Sequence, residues 1–371
     1  MHELVELAAE LRERAPTLLE RSAGPLLDDL RRRFVADVIR VLTNGSGAEH
    51  CYAEDAAREL VEGGVTPEEA VLAFRECAHA AWDLARDLAR RRDPDTYQAL
   101  LEQAGDIWIE YEHWTSAMTD AYRDAARQRD QRAAQEREAC VTALLTGAGG
   151  NTVELRHSAD ALALPKSGQF CVVVVEGDRG QADPEQALRA QGVPSVWSMT
   201  LLEQIGIVSL GTIDRTGLVR EVMAQCATGR VGVSSVYNQL GHTPLAARLA
   251  HVALASLPPG THNVSTYGDR PLETLVASAP ETARDMAESV LGGLLKLPTE
   301  DQQTLLDTIE VWCDAGGNIN RTAELLYCHR NTVRHRLDRI EALTGRAMSE
   351  PRGITETLIA VQAYRLHIVP G

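Results

Sequence analysis

The 371 residues are 44% hydrophobic and 24% charged, enough for two to four domains with cores of their own. Aromatics supply only 4%, so those cores are aliphatic. Acids outnumber bases 53 to 37, and the formal net charge of -16 excludes a protein that coats nucleic acid through a broad positive surface, though not one with a local basic patch.

The longest strongly apolar run, Phe170 to Val175, is far short of a membrane span of about 20 residues. The opening stretch MHELVELAAELRER has acids in every turn and no apolar segment with a cleavage site, so no secretory signal is expected. The cysteines (Cys51, Cys77, Cys140, Cys171, Cys226, Cys313, Cys328) are odd in number, scattered and free of any C-x-x-C, a pattern of reduced thiols in a cytoplasm.

Residues 3 to about 140 read as almost pure helix. Leu4, Leu7, Ala8 and Leu11 recur at helical spacing, as do Leu27, Leu30, Phe34, Val38 and Val41. A polar break at Thr43–Gly47 ends the second helix, and a third spans about Ala53 to Glu62, closed by Gly63-Gly64. Thr66 as N-cap, Pro67 at the first helical position and two glutamates in the first turn open a fourth, whose apolar face includes Ala70, Val71, Phe74, Ala78, Ala81, Trp82 and Leu88. Asp93-Pro94-Asp95 breaks it and another helix starts near Thr96. The expectation is an antiparallel bundle of about five helices. From Thr115 to about Ala143 the pattern becomes alanine-rich and charge-laced without a loop signal, which predicts a long connector helix, solvated or paired with a second copy.

Gly147–Asn151 is the next flexible break. Beyond it Phe170–Val175 predicts a buried strand, Val193–Met199 and Gln204–Leu210 two more, Gly217–Cys226 a helix, Arg230–Ser234 a strand and Thr243–Leu257 a helix. This alternation predicts an α+β or α/β domain. A helix from Ala283 leads out to Leu297, and Pro298 marks the next boundary.

The last 75 or so residues carry a mechanism. Thr299-Glu300-Asp301 opens a helix with Leu305, Leu306, Ile309 and Trp312 inward. Two helices follow, Ile319 to Leu326 and about Arg330 to Thr344, joined by a tight turn, as a helix-turn-helix requires. Ala323 is placed where the two helices meet, Val333 opposite it, with Leu326 and Cys328 as small apolar plugs at the turn. On a helical wheel Val333, Leu337, Ile340 and Thr344 share one face; Asn331, Arg334, His335, Asp338 and Arg339 lie broadly opposite. Arginine suits guanine edges or phosphate, and asparagine suits adenine. Between residues 329 and 346 five arginines stand against two acids, a local inversion of the chain's charge.

The string from Asn320 to Leu337 (NRTAELLYCHRNTVRHRL), followed by Ile340-Glu341 and Leu343-Thr344-Gly345, resembles the C-terminal helix-turn-helix of PucR/CdaR-type bacterial transcriptional regulators. Cys328 stands where that family usually carries a larger aliphatic residue. The resemblance implies that His329, Arg330, Asn331, Thr332, Arg334, His335 and Arg336 face DNA, with Arg321, Thr322 and Arg339 beside them. Residues from about 151 to 280, through Val231–Ser235 and Leu245–Ala250, are similar to that family's GGDEF-like domain, but no Gly-Gly-Asp/Glu-Glu-Phe string occurs. Cyclase chemistry needs carboxylates that hold Mg²⁺ near the phosphates, so the domain is expected to be non-catalytic, for dimerisation or ligand sensing. Gly64–Arg75 and Trp82 resemble the RsbR-type N-terminal helical domain attached to such regulators.

His50, His79, His113 and His157 form no H-x-x-x-H pair and have no cysteine at ligand spacing, so no metal site is expected. Nucleophile elbow, P-loop and dinucleotide fingerprint are absent, so neither catalytic residues nor a cofactor is expected. Phe74, Trp82, Trp108, Tyr111 and Trp114 read as bundle core, with an effector pocket as the alternative. Cys328 reads as a plug, with a redox-sensitive thiol as the alternative. The expected architecture is a helical sensor bundle (1–114), a connector helix (115–146), a GGDEF-like α+β domain (147–297) and an all-α helix-turn-helix domain (298–371). The expected function is a cytoplasmic, homodimeric or higher-oligomeric transcriptional regulator that answers a small-molecule effector at a double-stranded DNA operator, without membrane attachment. A degenerate nucleotide-binding signalling protein and a stressosome-like scaffold are the alternatives.

Overall fold

The computed structural model describes residues 2–18, 25–44, 52–148, 152–165, 167–177, 183–200 and 202–367. They form a multidomain protein: an all-α N-terminal bundle, a central α+β domain and an all-α C-terminal domain. Two compact units divide it, Met1–Glu136 and Arg137–Gly371. Gly45–Gly47 and Gly149–Asn151, expected as breaks, lie outside the described residues, as do His50 and the side chains of Leu30, Val38, Val41 and Trp114. No helix among the described residues is long and apolar enough to cross a membrane.

The first unit contains α1 (His2–Leu18), α2 (Pro25–Asn44), α3 (Tyr52–Glu62), α4 (Pro67–Arg92), α5 (Pro94–Glu102) and most of α6 (Ala104–Thr146). Leu4, Leu7, Leu11, Phe34, Ile39, Leu60, Phe74, Leu88, Leu100 and Met118 share one core. Thr66 caps α4 through a capping box: its hydroxyl accepts from the Glu69 N–H at 3.2 Å, and the Glu69 carboxylate accepts from the Thr66 N–H at 2.9 Å. Asp93 stops α4 and starts α5, where its carboxylate accepts from both the N–H and the hydroxyl of Thr96, each at 2.7 Å. The helix expected from Thr96 is therefore a separate nine-residue element. The connector begins earlier than its alanine pattern, at Ala104, because its first turns are apolar and belong to the bundle.

In the second unit α7 (Thr152–Ala161) precedes the sequence β1 (Gln169–Glu176), α8 (Pro184–Ala190), β2 (Ser195–Met199), β3 (Glu203–Gly211), α9 (Thr216–Cys226), β4 (Val231–Val233), α10 (Thr243–Ala255) and β5 (Val264–Thr266). The sheet order is β2-β3-β1-β4-β5, with β4–β5 parallel and the other neighbours antiparallel. Two β-α-β units are thus interleaved, a split β-α-β layout. Alternation along β1 explains its unbroken apolar run. Cys171, Val173 and Val175 pack with Leu188, Val219 and Met223 from α8 and α9. Phe170, Val172 and Val174 pack on the other face with Ala159, Ala246 and Ala250 from α7 and α10. The last turns of α6 join this second face through Val141 and Leu144, and Ser198 donates to Glu138 at 2.5 Å.

The C-terminal helices are α11 (Pro271–Ser278), α12 (Pro280–Leu291), α13 (Thr299–Asp314), α14 (Ile319–Leu325), α15 (Arg330–Thr344) and α16 (Pro351–His367). The helix expected over 283–297 ends at Leu291, and a single 3₁₀ turn, Leu294–Lys296, follows. At Gly293 a Cβ would stand 2.3 Å from the Leu343 carbonyl oxygen, so only glycine allows this approach to α15. Val290, Leu291 and Leu294 join Leu305, Leu306, Ile309, Trp312, Val333, Leu337 and Ile340 in the core. Helix α16 closes it with Ala360 and Val361 and contributes Ala363 and Leu366 to a second cluster with Val276 and Ala287.

Candidate nucleic-acid interface

Each boundary of the α14–α15 hairpin has a local cause. Asn318 caps α14, its side-chain oxygen accepting from the N–H groups of Asn320 and Arg321 at 3.0 and 3.1 Å. At the other end the Cys328 N–H donates to the Ala323 carbonyl at 3.0 Å and the Tyr327 N–H to the Glu324 carbonyl at 3.3 Å. Those two bonds are the Schellman pattern, which places Tyr327 at the left-handed position with φ 52°. Its accompanying apolar contact is supplied by Ala323 and half-buried Cys328, both in the core. Cys328 thus takes the position of a plug. His329 caps α15, its Nδ1 accepting from the Asn331 N–H at 3.2 Å, and left-handed Gly345 ends it.

Ala323 and Val333 are both buried, 7% and 0% exposed, where the helices cross. Leu337, Ile340 and Thr344 continue the buried stripe. On the outer surface stand Arg321, His329, Arg330, Asn331, Thr332, Arg334 and His335. Neither Arg330 nor Arg334 has an ion pair among the described residues, while Arg321 lies 3.4 Å from Glu324 across one turn.

Three candidates are placed differently. Thr322 is fully buried and its hydroxyl donates to the Asn318 carbonyl at 2.8 Å, so it holds α14 rather than facing outward. Arg336 is half-buried and donates to the Thr308 hydroxyl at 3.3 Å. Arg339 pairs with Asp301 at 2.9 Å. These two guanidiniums tie α15 to α13. Helical spacing alone conceals this, because a long side chain can turn back toward a neighbouring helix. Tyr327, unmarked by any spacing rule, is 97% exposed between the two helices.

Two carboxylates of the GGDEF-like region are engaged by basic side chains. Glu176 at the end of β1 is gripped by Arg230, from Nε at 2.8 Å and Nη2 at 2.5 Å, which holds its carboxyl below the ordinary range. Glu203 at the start of β3 pairs with His251 at 3.0 Å. Among the described residues no group of three or more His, Cys, Asp or Glu side chains is placed to hold a metal ion. Burial pushes the Cys77 and Cys313 thiols up to about 11 and Cys171 up to about 12, which keeps them protonated at neutral pH. In the bundle Trp82, Trp108 and Tyr111 line one cleft with Phe34, but its volume of about 20 Å³ is near that of a single water site. Phe74 is buried and stacks on Tyr111, with ring centroids 5.4 Å apart. Phe74 is thus core, Trp82 and Tyr111 are partly buried against it, and Trp108 is 40% exposed at the cleft.

The fold and surface define a helix-turn-helix protein with a split β-α-β domain and an N-terminal helical bundle. Residues 305–363 match the PucR C-terminal helix-turn-helix domain, residues 146–256 the GGDEF-like domain and residues 3–137 the N-terminal domain of the RsbT co-antagonist protein rsbRD. The chain therefore combines a PucR-type helix-turn-helix domain, a GGDEF-like domain and an RsbRD-type N-terminal domain. It is 32% identical over 138 residues to the purine catabolism regulatory protein of Bacillus subtilis, a match covering 36% of this chain and 26% of that protein. An uncharacterised protein of Mycobacterium tuberculosis is 39% identical over 64 residues, 17% of this chain and 16% of that one. The matches thus span about a quarter or less of these relatives' lengths. The crystal structure of a regulator of polyketide synthase expression from Bifidobacterium adolescentis aligns at 16% identity with a TM-score of 0.32, covering 63% of this chain and 94% of that chain. The chain thus shares part of its sequence with a curated regulatory protein.

Proposed function

We propose that this protein is a sequence-specific, DNA-binding transcription regulator that works in the cytoplasm as a homodimer or higher oligomer and answers a small-molecule or cellular signal. The observation that carries the reading is the outer surface of α15. Arg330, Asn331 and Arg334 project from a short helix whose packing is set by Ala323 and Val333. A helix so presented suits the major groove, with Asn331 for an adenine edge and the arginines for guanine or phosphate. In this reading the bundle (1–114) senses, the connector (115–146) pairs two copies and the GGDEF-like domain (147–297) serves a non-catalytic role. The helix-turn-helix domain (298–371) binds the operator. The engagement of Glu176 by Arg230 and of Glu203 by His251 supports the non-catalytic assignment.

Fragments of the source genome retained by the purified protein supply the operator for the test. Arg334→Ala should weaken binding to every sequence and reduce the salt slope by about 1. Asn331→Ala should relax preference at one base pair, by about 1–3 kcal/mol. Equal affinity of the unaltered protein for the selected operator and for scrambled duplex overturns the proposal.

A further inference from the structure

We propose that Tyr327 is a phosphate-contact residue, its phenol hydroxyl donating to a backbone oxygen of the operator at the edge of the groove entered by α15. This rests on the DNA-binding reading and adds to it a residue of a different kind.

The first observation is conformational. The turn after α14 needs a left-handed residue, a position glycine fills without steric conflict and a bulky aromatic rarely adopts. The same domain uses Gly316 and Gly317 after α13 and Gly345 after α15, with φ of 66°, 77° and 65°. Ala163 and Tyr327 are the non-glycine residues with positive φ among those described, and Tyr327 is by far the larger. The second observation is that the ring gives the fold nothing in return. It is 97% exposed, outside the hydrophobic core, and its hydroxyl has no hydrogen bond among the described residues. Strain retained without packing points to a role outside the folded chain.

Position and chemistry select the partner. Tyr327 lies two residues before the cap of α15 and three before Arg330, on a turn whose neighbours His329, Arg330 and Asn331 are all exposed. When the second helix of such a hairpin enters the groove, residues beside its N-terminus lie close to the flanking backbone. Tyrosine is among the side chains that bond phosphate oxygens, and such contacts fix position without reading sequence. Being neutral, the phenol adds a hydrogen bond without a charge to displace counterions.

The test measures DNA affinity of the full chain against salt for Tyr327→Phe, Tyr327→Gly and, as a reference, Arg334→Ala. The probes are the operator recovered from the genome and a scrambled duplex. Tyr327→Phe should weaken both duplexes by the same factor, about 3- to 10-fold, with the salt slope unchanged. Tyr327→Gly should weaken them at least as much while raising Tm, because glycine relieves the left-handed strain; that combination separates a lost contact from a damaged fold. If both Tyr327 variants bind as the unaltered protein does while Arg334→Ala is impaired, the Tyr327 proposal fails and the DNA-binding reading stands. A loss confined to the operator overturns the phosphate assignment. Failure of the unaltered protein to bind either duplex removes both.

Discussion

At Gly232 a methyl group has no room: a Cβ there would lie 2.0 Å from the Ala250 carbonyl oxygen and 2.5 Å from the Leu254 nitrogen. The glycine lets α10 approach β4 at backbone distance. Two residues on, buried Ser234 ties the end of β4 to β1, its hydroxyl accepting from the Val172 N–H at 2.9 Å and donating to the Ser235 carbonyl at 2.8 Å. The Val231–Ser235 string thus has a mechanical basis. Gly232→Ala should destabilise the mixed domain by about 2–3 kcal/mol, read as a lower urea midpoint with little change in m-value. Residue-level legibility was uneven for a physical reason. The stripe Val333, Leu337, Ile340 and Thr344 is inward as its spacing predicts, because a helix repeats every 3.6 residues wherever it is placed. The outward set was less legible. The partners that engage Arg336 and Arg339 are Thr308 and Asp301, on a helix some thirty residues earlier.

Elements were legible where one periodicity dominated and obscure where two environments met. The three long strands were expected close to their observed bounds, since each carries a run buried on both faces. Strand β5 has three residues and leaves no period to count. Helix α16 was not anticipated because it faces two cores at once, so its apolar residues do not gather on one stripe. Helix α10 also depends on a tertiary tie: Arg230 grips Glu176 and donates from Nη1 to the Leu257 carbonyl at 2.8 Å, binding the end of β1 to the exit of α10. Hydrogen bonding to Arg230 is the main cause that lowers the Glu176 pKa from its ordinary 4.5, so the pair's contribution is present above that value and lost as pH falls through the lower, folded value. Glu176→Gln should therefore cost about 1 kcal/mol at neutral pH, a modest figure because Glu176 is 39% exposed. The gap between variant and unaltered protein should narrow over the range below the ordinary 4.5, as the native carboxylate protonates. Paired urea titrations across that range check it, and a constant gap would assign the loss to packing instead.

For the whole molecule the decisive quantity is how little positive charge reaches the surface that is proposed to bind DNA. The chain's formal charge is -16, and on this face Arg330 and Arg334 carry no ion pair among the described residues while Arg336 and Arg339 are engaged by Thr308 and Asp301 of α13. A single such face displaces few counterions and gives weak, sequence-blind affinity. Useful occupancy then requires two α15 helices acting together, each within reach of its own half-site, and the second binding event gains from effective concentration only if the spacing matches. A homodimer on paired half-sites should therefore be sensitive to helical phase. Inserting about 5 base pairs between the half-sites turns one of them to the opposite side of the duplex and should reduce affinity to that of scrambled DNA. Inserting about 10 restores the phase and should recover part of the loss, to an extent set by the reach of the connector. Electrophoretic mobility shifts on the three duplexes decide it: affinity that falls smoothly with insertion length, without recovery at a full turn, would mean that the copies do not hold their recognition helices at a fixed separation.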